Sequence, residues 1–299
     1  MFPRFLILLF SFLLIGTSFA RVAQLPAEDS GESEPRSVFP RDGQRISIDV
    51  YRDESVRPPP AAISQSSGKL DTWMWSALAR FDVKINDGQT VQVAKDAYQS
   101  MKRRWLEDKI KDRRKPRVMT ALRKDDKVYL ASSARSTNLV VYTEERRYID
   151  EVRRDVPKPL ADALAYCYNT HKPPQRQHMY QGHCGEMMAA WAYFAHQASQ
   201  GEPVNDLQGA VFVTWEEGLT RAGKQVERIK DPCAGGSSDP WGCNQVLKSL
   251  GATWIDRRTK GQDYPEPRDL FQKELLGQCN LKKSAGMYDQ AKPIENHGG

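Results

Sequence analysis

Beyond residue 20 this chain of 299 residues has no apolar run that approaches the ~20 residues needed to span a bilayer. It has no visible internal repeat, which excludes a solenoid or propeller array. Histidine is scarce: there are five, and none falls between residues 197 and 296. Cysteine is scarce too, and odd in number, so the five thiols cannot all pair within one chain. What remains is 39% hydrophobic and 27% charged, with a net charge of +6. That composition excludes a wholly disordered chain. The length suits one large or two small domains, at about 100–200 residues each.

Residues 1–20 read as a signal peptide. Arg4 provides a basic start, Phe5 to Ile15 is apolar apart from Ser11, and Ser18-Phe19-Ala20 offers small residues at a cleavage site. The expected mature protein is secreted, basic and free of membrane segments. Residues 21–69 read as a flexible lead, with Pro26, Pro35, Pro40 and Pro58-Pro59-Pro60 among Ser, Glu and Gly. Its one alternating piece is Ile46 to Val50.

Periodicity organises the rest. Val91, Ala94, Tyr98, Met101 and Trp105 predict an amphipathic helix over Val91–Lys111. Its end runs into Lys102–Arg117, which holds nine basic and three acidic residues and could face an anionic partner such as nucleic acid or be a solvated helix face. Arg117–Leu122 and Lys127–Ser132 predict a hairpin, and Asn138–Thr143 a third strand. Glu144–Arg154 and Leu160–His171 read as helices, followed by a polar loop to Tyr180. Glu186–Gln197 is apolar around most of its circumference and predicts a buried helix ended by Gly201. Gly209–Trp215 reads as a strand, followed by a charged connection. Asn244–Leu250 reads as a short helix closed by Gly251, and Ala252–Asp256 as another strand. Strands alternating with helices indicate an α/β domain over residues 70–256, with residues 257–299 as an extension holding an amphipathic stretch at Leu270–Leu276.

Chemistry concentrates in Cys184-Gly185-Glu186, Pro232-Cys233 and Cys243. Three thiolates can bind Zn²⁺ and leave a fourth tetrahedral position for water, which the metal activates near neutral pH. Glu186, at the start of the buried helix, is placed to shuttle protons. A thiolate at the start of the second helix, near Cys243, gains from the helix dipole.

This order of residues resembles the zinc-dependent cytidine-deaminase-like superfamily, whose pattern is a His or Cys, any residue, Glu, then Pro-Cys, two residues and Cys. The likeness covers roughly residues 91–256. It implies a three-layer α/β fold with a mixed sheet flanked by helices. It further implies Cys184, Cys233 and Cys243 as zinc ligands, Glu186 as the catalytic proton carrier, and loss of an exocyclic amine as ammonia from a nucleobase-containing substrate. His183 has no role in it. With the signal peptide, the resemblance points to a toxin or effector. The chain departs from the pattern at the nine residues between Cys233 and Cys243, AGGSSDPWG, a spacer that can loop out.

Other readings of the same residues stand beside it. In an oxidising compartment Cys233 could pair with Cys243, giving a non-catalytic, disulfide-stabilised effector. If zinc takes three cysteines, Cys167 and Cys279 remain as a pair. Cys184 at a helix start also resembles the nucleophile of papain-like and transglutaminase-like thiol enzymes, for which only His171, His178 or His297 could serve as base. Met187, Met188, Trp191 and Phe194 fit a core stripe, and His196 a satisfied helix histidine. Trp215 and Trp241 are placed to line a pocket.

Overall fold

The computed structural model describes residues 48–55, 72–135, 141, 156–170, 178, 180–202, 204–219, 223–234, 241–271 and 275–276. The expected signal peptide, the expected strand at 138–143 (but for residue 141), the helix at 144–154 and Cys279 lie outside them. The strands among the described residues are β1 (Tyr51–Arg52), β2 (Trp75–Arg80), β3 (Val118–Lys124), β4 (Lys127–Ser132), β5 (Val211–Leu219), β6 (Gln225–Lys230), β7 (Thr253–Trp254) and β8 (Asp269–Phe271). The helices are α1 (Asp87–Glu107), α2 (Lys158–Thr170), α3 (Gly185–Gln200) and α4 (Cys243–Ser249).

One open sheet runs β1-β2-β4-β3-β5-β6, with β8 added to β2. All its pairings are antiparallel except β5 with β7. The outer edge of β5 is shared. Its first residues pair with β7 (Val211↔Thr253, Phe212↔Trp254), and its later ones with β6 (Thr214↔Lys230 onward). Both faces are covered, and strand alternation sends successive side chains to opposite sides. Leu78, Leu122, Tyr129 and Phe212 pack with α2, α3 and α4, while Ala77, Met119, Val128, Leu130 and Val213 pack with α1. The protein is therefore mixed α/β, with helices on both faces of a mostly antiparallel sheet.

Local chemistry sets the helix limits. α1 starts at Asp87, ahead of the first apolar repeat, because Asn86 and Gln89 cap each other: each side-chain oxygen accepts the other residue's backbone N–H at 2.9 Å. It ends before Lys109, whose φ of 51° no helix accommodates. The periodic set Val91, Ala94, Tyr98, Met101 and Trp105 is buried. α3 stops at Gly201, in the left-handed region at φ 79°.

Several stretches differ from the sequence reading, β2 and β8 among them. The charged connection after Trp215 is the end of β5 and all of β6. Its charges pair across the hairpin, as in Glu216 with Arg228 and Lys230, and Gln99 and Lys102 reach Glu227 from α1. β7 is shorter than the expected Ala252–Asp256: Thr253 and Trp254 pair in register with β5, and one further bond runs from the Ile255 N–H to the Phe212 carbonyl. Within the stretch read as a flexible lead, Ile48 and Val50 are fully buried, and Asp49 binds Ser100 and Arg104 of α1.

Phe212 fills the sheet's inner face with no exposure. Truncation to Ala is expected to cost about 3–5 kcal/mol, read as a lower urea midpoint at unchanged m-value.

Candidate metal centre

His178, Cys184, Cys233 and Cys243 come together with their ligand atoms all within 4.8 Å of one another, a group that could hold a metal ion. Each arrives on a different local device. His178 precedes a tight turn in which Gln181 (φ 53°) and Gly182 (φ 75°) are both left-handed. A Cβ on Gly182 would lie 2.7 Å from Val141, so only glycine fits. The turn is tied to the sheet where Ala134 N–H donates to the His183 carbonyl at 2.9 Å. Cys184 is the N-cap of α3, extended at φ −66° and ψ 150°. Cys233 and Cys243 are joined directly: the Cys243 N–H donates to Cys233 Sγ at 3.1 Å, and the Asn244 N–H to the Cys233 carbonyl at 3.1 Å. These bonds bring the two ends of the spacer together; residues 235–240 of it lie outside the described set.

The dimensions suit a small thiophilic ion. Cys184 and Cys233 have Sγ atoms 3.9 Å apart; His178 Nε2 is 3.3 Å from Cys243 Sγ and 3.8 Å from Cys233 Sγ. A tetrahedral zinc with Zn–S bonds of about 2.3 Å has S–S edges of about 3.8 Å. The donor set and the spacing therefore fit zinc. His178 and Cys243 are buried and Cys184 and Cys233 partly exposed, so the cluster opens on the Cys184–Cys233 side.

Glu186 stands beside the sulfurs. Its Oε2 is 3.7 Å from Cys243 Sγ, and its Oε1 accepts a 3.0 Å bond from the Thr214 hydroxyl. Thr214 in turn is 2.7 Å from the Thr120 hydroxyl, so a relay of two hydroxyls aims the carboxylate. Glu186 is 4% exposed, and burial pushes its pKa up. The three thiols differ. Hydrogen bonds from Cys184 and Cys243, with help from His178, hold Cys233 well below a free thiol. Cys184 is pushed up by its bond to Cys233, and Cys243 by burial. A metal takes cysteines as thiolates, so binding here would displace the protons the three sulfurs carry.

Among the expected site residues, Cys184, Cys233, Cys243 and Glu186 converge. All three sulfurs are free thiols, so Cys233 and Cys243 form no disulfide. Cys167 is buried, and burial pushes its pKa up to about 11; its expected partner Cys279 lies outside the described residues. Trp241 packs edge-on against His178, centroids 5.2 Å apart, and is buried in the core cluster. Trp215 does not reach the site: Thr214 and Glu216 take the site face of β5, and Trp215 turns to α1 beneath Lys95. His196 is satisfied by Tyr129 at 3.0 Å, and Met187, Met188, Trp191 and Phe194 are core. The sequence reading missed His178 as a donor to this cluster, and missed Thr120 and Thr214 as its supports. The only signals were a histidine six residues before Cys184 and a threonine inside an apolar strand.

The Lys102–Arg117 block lies on and after α1, across the sheet from Glu186. Lys102 is bound to Glu217 and Glu227, and Arg104 to Asp49 and Glu107, while Lys109, Lys111, Arg113 and Arg117 are exposed. No described helix is long and apolar enough to cross a membrane. No protein-family model, curated protein or solved structure matches the chain.

Proposed function

We propose that this protein is a zinc-dependent hydrolytic deaminase of a nucleobase, in the manner of the cytidine-deaminase-like superfamily. Cys184, Cys233 and Cys243 would hold the ion and Glu186 would carry the proton. The observation that supports this best is Glu186 itself. A buried carboxylate costs free energy unless it is used or paired, and this one is aimed at the sulfur cluster by two threonines without being one of the four grouped donors. A purely structural zinc site has no need of it.

When bound, the ion supplies the Lewis acidity that makes water a nucleophile near neutral pH. The rest falls to the chain. Glu186, with its pKa raised by burial, takes a proton from the attacking water and delivers it to the departing amine, so that base and water become oxo-base and ammonia. Trp241 stands edge-on to His178 and closes the apolar side of the site. The order of hairpin β3–β4, helix α3, strand β5, helix α4 and strand β7 also supports the family likeness. With residues 1–20 as a signal peptide, the enzyme would act outside the producing cell as a toxin or effector.

His178 separates this reading from a closed structural site. Its Nδ1 accepts the backbone N–H groups of Tyr180 and Gly182 at 3.2 and 3.3 Å, which leaves the ring's own proton on Nε2, facing sulfur. His178 would then donate to the sulfurs rather than ligate the ion, which Cys184, Cys233 and Cys243 would hold. The 3.3 Å approach of Nε2 to Cys243 is what favours the rival reading, a four-donor structural zinc. A Cys184 nucleophile is less well served, because His178 makes its close contacts with Cys233 and Cys243.

Metal analysis and ammonia release test the reading together. Wild-type protein should hold one zinc and release ammonia from one of the common nucleobases, nucleosides or nucleotides. The His178→Ala variant should keep the zinc. Zinc lost from His178→Ala, with no ammonia from wild type, would establish the structural site instead.

A further inference from the structure

The face of the sheet that carries Glu186 also carries a cationic pair that the chemistry above does not use. Thr214, which holds Glu186, lies directly opposite Lys230, and Glu216 directly opposite Arg228. Residues opposite one another in an antiparallel pair share a face, as do residues two apart on one strand. Thr214, Glu216, Arg228 and Lys230 therefore form one square beside Glu186. Glu216 is buried, yet it accepts three bonds: from Arg228 Nε at 3.1 Å, Arg228 Nη2 at 3.0 Å and Lys230 Nζ at 2.7 Å. Both cationic side chains remain accessible, Lys230 at 40% and Arg228 at 57%. One carboxylate thus fixes two cations and neutralises one, leaving an oriented positive charge at the edge of the site.

We propose that Lys230 and Arg228 bind the phosphate of the substrate, so that the site takes its nucleobase in phosphorylated form rather than as free base or nucleoside. This inference rests on the deaminase reading. Burial alone would lower the Lys230 pKa, but the bond and charge of Glu216, with Tyr180 and Glu186 nearby, raise it and keep the ammonium charged. Arg228 stands two strand residues from Lys230, roughly 7 Å along the strand away from the Thr214–Glu186 contact. A base seated at the carboxylate with its ribose running along the strand would bring its phosphate to this pair. A guanidinium beside an ammonium suits phosphate oxygens, the first by its fork and the second as a point charge. The larger Lys102–Arg117 block is not placed for this, since α1 packs on the opposite face of the sheet from Glu186.

The test uses the full-length, zinc-loaded Glu186→Gln protein, which holds ligand without turning it over. Calorimetric titration compares cytidine, adenosine and guanosine with their 5′-monophosphates and with a short single-stranded oligonucleotide. At least one monophosphate should bind about tenfold or more tighter than its nucleoside, in line with a charge-assisted bond. Adding Lys230→Gln should erase that ratio while leaving nucleoside binding in place, and Lys230→Arg should restore most of it. A strand that binds as tightly as the monophosphate identifies the phosphate as part of a nucleic acid; a strand that does not identifies a mononucleotide. Equal binding of nucleoside and monophosphate, an unchanged ratio in Lys230→Gln, or no binding by any ligand overturns the inference. Ammonia release by wild type reports separately. Phosphate discrimination without ammonia release removes the deaminase reading and leaves the anion site, whereas ammonia release at equal efficiency from nucleosides and monophosphates does the reverse.

Discussion

Glu186→Gln is expected to reduce kcat for ammonia release by roughly 100- to 10,000-fold, the range attributed to a positioned general acid–base group. Zinc content should stay at one per chain. The amide is nearly the shape of the carboxylate and can still accept the Thr214 hydroxyl bond, so the variant removes the proton carrier while keeping the packing. Because the proton transfer is made only in the transition state and not in ground-state binding, the loss should fall on kcat more than on KM. A variant that retains wild-type turnover would eliminate Glu186 as the proton carrier. One that loses zinc would make it a structural support of the cluster instead. Cys184→Ser is the companion measurement, since it should abolish both metal and activity.

Gly242→Ala should be nearly as damaging, and for a purely steric reason. Gly242 sits at φ −135° and ψ −169°, ordinary extended backbone that alanine adopts freely. An added Cβ would collide with the Cys233 carbonyl oxygen and come within 2.7 Å of its carbon and 2.9 Å of its sulfur. Cys233 would have to move, and it is the sulfur that accepts bonds from both other thiols, His178 and the Cys243 N–H. Zinc affinity is expected to fall about a hundredfold or more, the upper end for a disturbed supporting shell. Gly218→Ala serves as control, because its Cβ would meet nothing nearer than 3.5 Å. Competition with a chromophoric chelator would read both; equal affinities in the two variants would show that the Cys233 backbone can give way.

The sequence was most legible where one kind of force dominated. α3 is written in apolar helix formers, and α1 in a single clean repeat, so both were visible without tertiary context. β6 was not visible, because Gln225–Lys230 has no apolar alternation. Its cohesion comes from charges that meet only after the hairpin forms, Glu216 with Arg228 and Lys230 above all. β2 was hidden for the opposite reason: WSALAR is buried along nearly its whole length and shows no polar face to count against. At the site, Cys184, Cys233, Cys243 and Glu186 could be grouped in advance because their chemistry is distinctive. His178 could not, since it lies in a polar stretch and its meaning depends on two backbone N–H groups that only the turn supplies. Trp215 failed as a pocket residue by one step of strand parity.

The Cys184–Cys233 approach has a consequence for the chain between them. An ion gripping both sulfurs would close a ring of 49 residues of separation, with β5 and β6 inside it. Ring closure removes freedom from the unfolded chain, by an amount that grows slowly with ring size. Thr214, Glu216, Arg228 and Lys230 all ride on that enclosed hairpin. Metal occupancy would therefore stabilise the folding of the hairpin that carries the proposed phosphate pair, as well as serve the cluster that holds the ion.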